Sequence, residues 1–446
     1  MIRLKINLPE YVKKALIRTN EAGEEAFVVG GCVRDILMGK TPHDWDITTS
    51  AKPEKTKEIF SSFKTVDTGI KHGTVLVLID GEPLEITTYR IDGEYTDCRH
   101  PDSVRFTSDI ENDLSRRDFT VNAMAYNDEK GLVDLFGGAD DIKNKIIRCV
   151  GDADKRFNED ALRIIRALRF SSTLGFTIES ETKKAILKNK ELLNNVAKER
   201  ISAELLKLLC GQNAFNVLEE YEEVFGVIIP ELKHEFGFAQ YGKKHAYTVW
   251  GHTCHTVDNI DPNDEILRLT MLLHDIGKPA THKLNDKGDS TFKNHAAVGG
   301  EIAEKVLKDL RFSNKICETV TFLVTHHDMD VPSTRAEVKR YLNMMGEENF
   351  VRLMKIRTAD RGALSESFRD ISEQTDFAYA QFYDIIDKKE PYTLKDLAVD
   401  GNDLKKIGIT GEKTRETLEK LLGAVIENPE MNTKEKLIAI VKQTAN

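Results

Sequence analysis

Residues 28–50 read Val-Val-Gly-Gly-Cys-Val-Arg-Asp-Ile-Leu-Met-Gly-Lys-Thr-Pro-His-Asp-Trp-Asp-Ile-Thr-Thr-Ser. The apolar run Phe27–Val29 has the content of a short buried strand. Gly30 and Gly31 follow it directly, where a backbone without Cβ atoms can approach a phosphate closely. Arg34 offers a planar fork of donors to phosphate oxygens. Asp44 and Asp46 come next, at i and i+2. On a strand this spacing predicts both side chains on one face. Two carboxylates held together repel unless a cation joins them, and hard oxygen ligands suit Mg²⁺. A phosphate-cradling turn followed by a carboxylate pair is the equipment of metal-assisted nucleotidyl transfer.

The chain has 446 residues, enough for several cores and about two to four domains. Charged residues make up 31%, and no apolar stretch approaches membrane-spanning length, which predicts a soluble protein with no membrane partner. The opening Met1–Glu10 has no signal-peptide h-region. Cys32, Cys98, Cys149, Cys210, Cys254 and Cys317 are scattered without a C-x-x-C pair, so neither a disulfide framework nor a cysteine zinc site is expected. These features predict a cytoplasmic location. The net charge of −10 argues weakly against a nucleic-acid partner, but phosphate binding needs only a local basic face. Residues 143–207 supply one candidate, with 15 Lys and Arg against 9 Asp and Glu. A solvated helical face has the same composition.

Helical spacing runs from Leu8 to about Asn20 and stops at Gly23. Short β runs follow to about Asp134, including Val75–Ile79, the turn Asp80-Gly81-Glu82, and Leu84–Tyr89. From about Asp152 the pattern is helical, with apolar periodicity over Asp160–Phe170 and Glu181–Leu193. A histidine-rich section occupies His234–Asp360, and the charged stretch Asp387–Pro391 reads as a linker to a terminal helical module. The expected layout is an α/β head with a small mixed sheet (1–148), an all-α neck (149–215), a helical body (216–370) and a helical tail (371–446).

Three further strings carry chemistry. Leu84-Glu85-Ile86-Thr87-Thr88-Tyr89-Arg90 alternates like a half-buried strand, and Glu85 is a candidate third carboxylate; an exposed strand residue fits the same pattern. Arg116-Arg117-Asp118-Phe119-Thr120-Val121-Asn122 places adjacent arginines and an aspartate beside a buried-looking run, suited to triphosphate and ribose contacts at a helix start. Glu159-Asp160-Ala-Leu-Arg163-Ile-Ile-Arg166-Ala-Leu-Arg169-Phe170 would line 160, 163 and 166 along one helical stripe, with 169 close by. Without a ligand that stripe is an ion-pair ladder. With one, Asp160 accepts and Arg163 donates. Cytosine and adenine each offer an amine donor beside a ring acceptor, so such a pair can select both and reject uracil and guanine.

The assembled string strand–Gly-Gly-x₂-Arg-Asp-x₈-Asp-Trp-Asp, with the two later motifs, resembles the nucleotidyltransferase superfamily of DNA polymerase β. Within it the chain resembles the class II tRNA nucleotidyltransferases and bacterial poly(A) polymerases, strongly over about 27–207. The resemblance implies a polymerase β-like head. By motif it places Gly30, Gly31, Arg34, Arg117, Asp118, Asn122, Arg166 and Arg169 at the nucleotide. It makes Asp160 and Arg163 a protein template, with Glu159 holding Arg163, and Asp44, Asp46 and Glu85 catalytic around Mg²⁺. Asp92–Asp102 resembles the flexible loop of CCA-adding enzymes, which favours CCA addition over simple adenylation. Glu199-Arg200-Ile-Ser-Ala-Glu204-Leu resembles a weaker neck motif. Asp396–Thr414 and the helix to Leu422 resemble the tail of those enzymes, where Gly408 and Gly411 can expose amides to a tRNA backbone. The implied partners are tRNA, CTP and ATP. A poly(A) polymerase, an RNA-positioning phosphohydrolase and a non-catalytic tRNA-binding protein are the competing readings.

The histidine section holds His252, His274-Asp275, His295, His326-His327 and Asp360. An apolar helix over Leu272-Leu273 ending in adjacent His and Asp, then Gly277, presents two ligands at one helix end. The order H…HD…H…H…D resembles the HD phosphohydrolases. It implies a metal site of His252, His274, Asp275, His295, His326 and Asp360. Imidazole plus carboxylate suits Mn, Ni, Fe or Zn. His234, His245, His255 and His282 lack such support and are expected to be surface or packing residues.

Overall fold

The computed structural model describes residues 6–93 and 103–444. The chain divides into two compact units, Met1–Lys233 with Asp309–Phe312, and His234–Lys308 with Ser313–Asn446.

The first unit begins as an α/β head. Its strands are β1 (Ala26–Val29), β2 (Asp46–Thr49), β3 (Lys64–Gly69), β4 (Thr74–Ile79), β5 (Glu82–Thr88), β6 (Arg90–Asp92), β7 (Val104–Phe106), β8 (Met124–Asn127) and β9 (Gly131–Asp134). Among the described residues, seven of them form one mixed sheet in the order β3-β4-β5-β2-β1-β8-β9. β2 and β5 are parallel, and the other pairs in this sheet are antiparallel. The composition explains the placement. β1 is apolar on both faces and buried at all four positions, so it lies inside the sheet. β4 and β5 alternate, with Val75, Val77, Ile79, Leu84 and Ile86 buried while Glu85 faces out. The turn Asp80-Gly81 joins them with both residues at positive φ, 54° and 89°, the conformation a two-residue hairpin favours. The strand register sets Asp46 beside Glu85.

Residues 149–215 are helical, as the periodicity predicts, apart from the short strand Thr177–Ile178, which pairs in parallel with Ile146–Ile147. The helix Leu162–Leu174 buries Ile164, Ile165 and Leu168 and packs against the helix Lys198–Leu209 through the face carrying Ile201, Leu205 and Leu208. The expected helix over Asp160–Phe170 starts later. Asp160 is extended (φ −138°) and caps the preceding helix Ala153–Glu159.

The second unit is all-helical apart from the hairpin Lys283–Leu284/Ser290–Thr291. The helices Val249–Asp258, Glu265–Leu273, His295–Asp309, Asn314–His326 and Arg335–Gly362 carry the histidine section. Val338, Leu342, Phe350, Leu353, Phe382 and Ile385 form one core, and Val399, Leu404, Leu421, Val425, Leu437 and Val441 form another in the tail. The stretch expected to be a linker is anchored. Glu390 accepts from Arg335 at 2.7 Å and pairs with the fully buried Lys339 at 2.7 Å. Among the described residues no helix is long and apolar enough to cross a membrane.

Candidate active site and candidate metal centre

The turn after β1 is built for close approach. Gly30 has φ +81°, and a Cβ there would meet Arg117 Nη1 at 3.2 Å. A Cβ on Gly31 would meet Arg34 Nη2 at 3.6 Å. Two guanidinium groups therefore flank a glycine turn, a ready anion cradle. Arg34 donates to Asn122 Oδ1 at 2.7 Å and to Asp35 Oδ1. Arg117 is held from behind. The buried carboxylate of Asp113 accepts from Arg117 at 3.3 Å, from Arg116 at 2.7 and 3.0 Å, and from Thr48 on β2 at 3.1 Å. Burial would raise its pKa, but Arg116 and Arg117 outweigh burial and hold it low.

The carboxylates gather at the start of β2. Trp45 is buried and fixes the segment, while Asp44 and Asp46 point to solvent on either side of it. Contrary to expectation, only Asp46 lies on the strand; Asp44 is in the preceding loop. Glu85 is the register partner of Asp46. Although Asp46 is open to solvent, surrounding protein atoms raise its pKa, and Glu85 and Asp44 raise it further while Arg117 lowers it. Three carboxylates thus share a field that one cation would relieve, and their hard oxygen donors fit Mg²⁺.

Asp118 precedes a single 3₁₀ turn, Thr120–Asn122, rather than a full helix. It accepts from the Phe119 backbone N–H at 2.8 Å, from Asn122 at 3.3 Å and from Arg166 at 2.6 Å. Burial pushes its pKa up, but Arg166 more than reverses this and holds it at about 2. Arg166 also faces Glu204 at 3.5 Å, and Arg169 donates to Glu204 at 2.8 Å. Arg163 is buried. It donates to Glu159 at 2.8 Å and to the carbonyls of Arg156 and Arg116 at 3.1 and 3.0 Å. Asp160 accepts from the Leu162 N–H at 3.0 Å and from Arg200 at 3.2 Å. Asp113 and Arg200 were not singled out in the sequence. Arg200 stands within the neck string Glu199–Leu205, whereas Asp113 precedes the string Arg116–Asn122 and carries no signal of its own. The expected flexible loop lies outside the described residues over 94–102.

The second unit brings the histidine section to one point, Asp275. Its Oδ2 lies 3.4 Å from His252 Nε2, 3.2 Å from His274 Nε2 and 2.6 Å from Lys278 Nζ. Its Oδ1 lies 3.6 Å from His295 Nε2 and 3.7 Å from His327 Nε2. Asp360 joins the first pair, 2.9 Å from His252 and 4.0 Å from His274. Two groups result, His252–His274–Asp275 and Asp275–His295–His327, sharing one carboxylate.

Each of these rings is oriented by its other nitrogen. Nδ1 of His252, His274, His295 and His327 meets the backbone carbonyl of Ala363, Met271, Phe292 and Val324 at 3.3, 2.7, 2.8 and 2.7 Å. A carbonyl only accepts, so Nδ1 carries a proton toward it and Nε2 is the nitrogen turned inward. The buried His274 Nε2 has no hydrogen-bond partner, and Nε2 of His295 and His327 face each other at 3.1 Å. Inward Nε2 atoms gathered around a carboxylate offer the donor set that metal ions take. Burial raises the pKa of Asp275, but His274 and Lys278 overcome it and hold the group well below the usual range.

His326, expected as a ligand, is not in either group; His327 is. His326 stacks on Phe322 with centroids 4.2 Å apart, and its Nδ1 meets the Phe322 carbonyl. Adjacent residues at a helix end differ by about 100° in direction, so only one of the pair reaches the centre. Of the remaining histidines, His255 packs on Tyr247, and His282 on Phe238 and Phe292. Glu235, which no motif marks in the sequence, is fully buried. Its carboxyl accepts from Thr253 at 2.9 Å, and burial together with the charge of Asp275 pushes its pKa up to about 8.

Three family models match. Residues 26–148 match the poly A polymerase head domain, 175–236 the probable RNA and SrmB-binding site of polymerase A, and 242–361 the HD domain. The CCA-adding enzyme of Ligilactobacillus salivarius is 52% identical over 218 residues, covering 48% of this chain and 54% of that protein. The chain therefore spans about half the length of the curated relatives it matches. The crystal structure of the Bacillus stearothermophilus CCA-adding enzyme in complex with CTP is similar over 98% of this chain and 97% of that one, with 29% identity and a TM-score of 0.73. The Thermotoga maritima CCA-adding enzyme complexed with tRNA shares the fold, with a TM-score of 0.64 and 20% identity over 99% of this chain and 97% of that one.

Proposed function

We propose that this chain, which belongs to the tRNA nucleotidyltransferase and poly(A) polymerase family and carries an HD domain, adds C, C and A in turn to the 3′ end of tRNA from CTP and ATP. The observation that carries this reading is the pairing of Asp46 with Glu85 on adjacent strands, in the field of Asp44 and beside the Gly30 turn flanked by Arg34 and Arg117. Arg34, Arg117 and the turn bind the triphosphate. Asp118 and Asn122 hold the ribose. Asp160 accepts from the exocyclic amine of cytosine or adenine, and Arg163, steadied by Glu159, donates to the ring acceptor. The tRNA 3′ hydroxyl gives up its proton beside Asp44 and Asp46 and attacks the α-phosphate, and the bond to pyrophosphate breaks. When held by Asp44, Asp46 and Glu85, Mg²⁺ supplies neutralisation of the charge on the attacking and leaving oxygens. A tRNA substrate fits a cytoplasmic location.

The test is extension of tRNA lacking its terminal CCA, with labelled CTP and ATP supplied separately and together. CTP alone should add two residues, ATP alone none, and both together the full end. Long adenylate tails from ATP alone would identify a poly(A) polymerase instead.

The shared Asp275 supports a second reading for the body, a metal-dependent phosphatase or cyclic phosphodiesterase serving damaged RNA ends. His252, His274, Asp275 and Asp360 would hold one ion, and Asp275, His295 and His327 another, each Mn, Ni, Fe or Zn. Bound there, the ions supply Lewis-acid activation of a phosphoester. Lys278, paired with Asp275, and Arg357, paired with Asp360, bring the chain's own cations to the centre. Hydrolysis of 2′,3′-cyclic and terminal phosphates by the purified protein, with metal analysis, tests this reading.

A further inference from the structure

Three arginines assigned to the nucleotide share one aromatic ring. The guanidinium carbons of Arg169, Arg34 and Arg166 lie 3.6, 5.2 and 5.5 Å from the centroid of Phe170. A continuous series of polar contacts links the same groups. Arg34 donates to Asn122 at 2.7 Å, Asn122 to Asp118 at 3.3 Å, and Arg166 to Asp118 at 2.6 Å. Arg166 then faces Glu204 at 3.5 Å, and Arg169 donates to Glu204 at 2.8 Å. Phe170 is 4% exposed, and Phe119 meets it at 78° with centroids 5.7 Å apart.

An aromatic face attracts a guanidinium within about 6 Å through its quadrupole. Three guanidinium groups gathered together repel one another, and Asp118 and Glu204 offset part of that repulsion. A further carboxylate would gather them as well, but it would also repel a triphosphate. A phenyl ring orients the cations without adding negative charge. We propose that Phe170 is a positioning residue for nucleoside triphosphate binding, an uncharged platform that presents Arg34, Arg166 and Arg169 to the ligand already oriented. The proposal rests on the reading of this site as the nucleotide site. The arginines involved are distinct from Asp160 and Arg163, so CTP and ATP depend on the ring equally.

The test replaces Phe170 in the full chain by mono-, di- and trifluorophenylalanine through nonsense suppression. Fluorination weakens the negative face at almost constant volume, so a purely structural role would leave binding flat. Kd for CTP and for ATP is measured in Mg²⁺ buffer, together with Tm. Both Kd values should rise stepwise, reaching about tenfold at the trifluoro variant, with their ratio unchanged and Tm lowered by no more than a few degrees. A flat series with normal wild-type binding of both nucleotides overturns the role of Phe170 and leaves the site reading intact. A change for only one nucleotide also overturns it. A wild type that binds neither nucleotide overturns the site reading, and this proposal with it.

Discussion

Asp46 and Glu85 are register partners on the parallel strands β2 and β5, and Asp44 stands two residues before the first of them. Parallel pairing within the middle of the sheet makes this juxtaposition a property of the backbone. The pKa of Asp46 is raised by its surroundings, then by Glu85 and Asp44, which marks a site that favours a cation. Asp46→Ala or Asp44→Ala should abolish incorporation of both CTP and ATP while tRNA binding persists. Glu85→Gln should slow both by about ten- to a hundredfold, the scale on which weakened metal sites lose activity. Single-turnover extension assays check this, and loss of one nucleotide alone would contradict a shared metal site.

Asp160 is held in place by the Leu162 N–H and by Arg200. Removing it leaves an exocyclic amine without an acceptor. Asp160→Ala should lower the preference for CTP over UTP by about 1–3 kcal/mol while sparing chemistry with a forced substrate. Arg200→Ala should reproduce a smaller part of the effect, because it frees the carboxylate rather than deleting it. Competition assays with mixed CTP and UTP give the measurement. An unchanged preference in Asp160→Ala would remove the template role.

The head was legible because its signals are local. A strand, two glycines, an arginine and a carboxylate pair sit within one short segment, and alternation in Leu84–Tyr89 already set Glu85 apart from its buried neighbours. The support behind them was not legible. Asp113 holds Arg116, Arg117 and Thr48 at once, but only the sheet order brings Thr48 to it. Glu204 meets Arg166 and Arg169 because two neck helices pack together, which spacing along one helix cannot report. The start of the helix at Leu162 escaped the periodicity for a similar reason. Asp160 keeps the helical spacing but serves as a cap, a choice fixed by local hydrogen bonding.

Glu235 gives a pH dependence. Its carboxyl is fully buried, and burial with the charge of Asp275 raises its pKa from 4.5 to about 8. The unfolded chain loses this proton near 4.5 and the folded chain near 8, so between these values the unfolded state binds fewer protons. This group's contribution to stability therefore falls as pH rises through that window. Glutamine keeps the shape and can accept from Thr253. In EDTA, Glu235→Gln should melt a few degrees above wild type at pH 8 and show no advantage near pH 4.5. Thermal denaturation across pH is the check, and a constant difference would show that ionisation is not the cause.

His326 and His327 are neighbours with opposite expectations. His327 turns Nε2 toward Asp275 and His295, while His326 stacks on Phe322. The second metal group depends on His327 together with His295 and Asp275, whereas the first uses His252, His274, Asp275 and Asp360. His327→Ala should thus lower the transition-metal content from about two ions per chain toward one and cut phosphoester hydrolysis by about ten- to a hundredfold. His326→Ala should retain both metal and hydrolysis. His274→Ala with Asp275→Ala removes ligands from both groups and should abolish metal binding. None of the three should impair CTP and ATP incorporation, because the carboxylates proposed for that reaction stand on β2, β5 and the loop before β2. Metal analysis after loading with Mn²⁺ or Ni²⁺ decides the matter. Equal metal content in the His326 and His327 variants would mean that the Asp275–His295–His327 group is a packed histidine cluster rather than a ligand set.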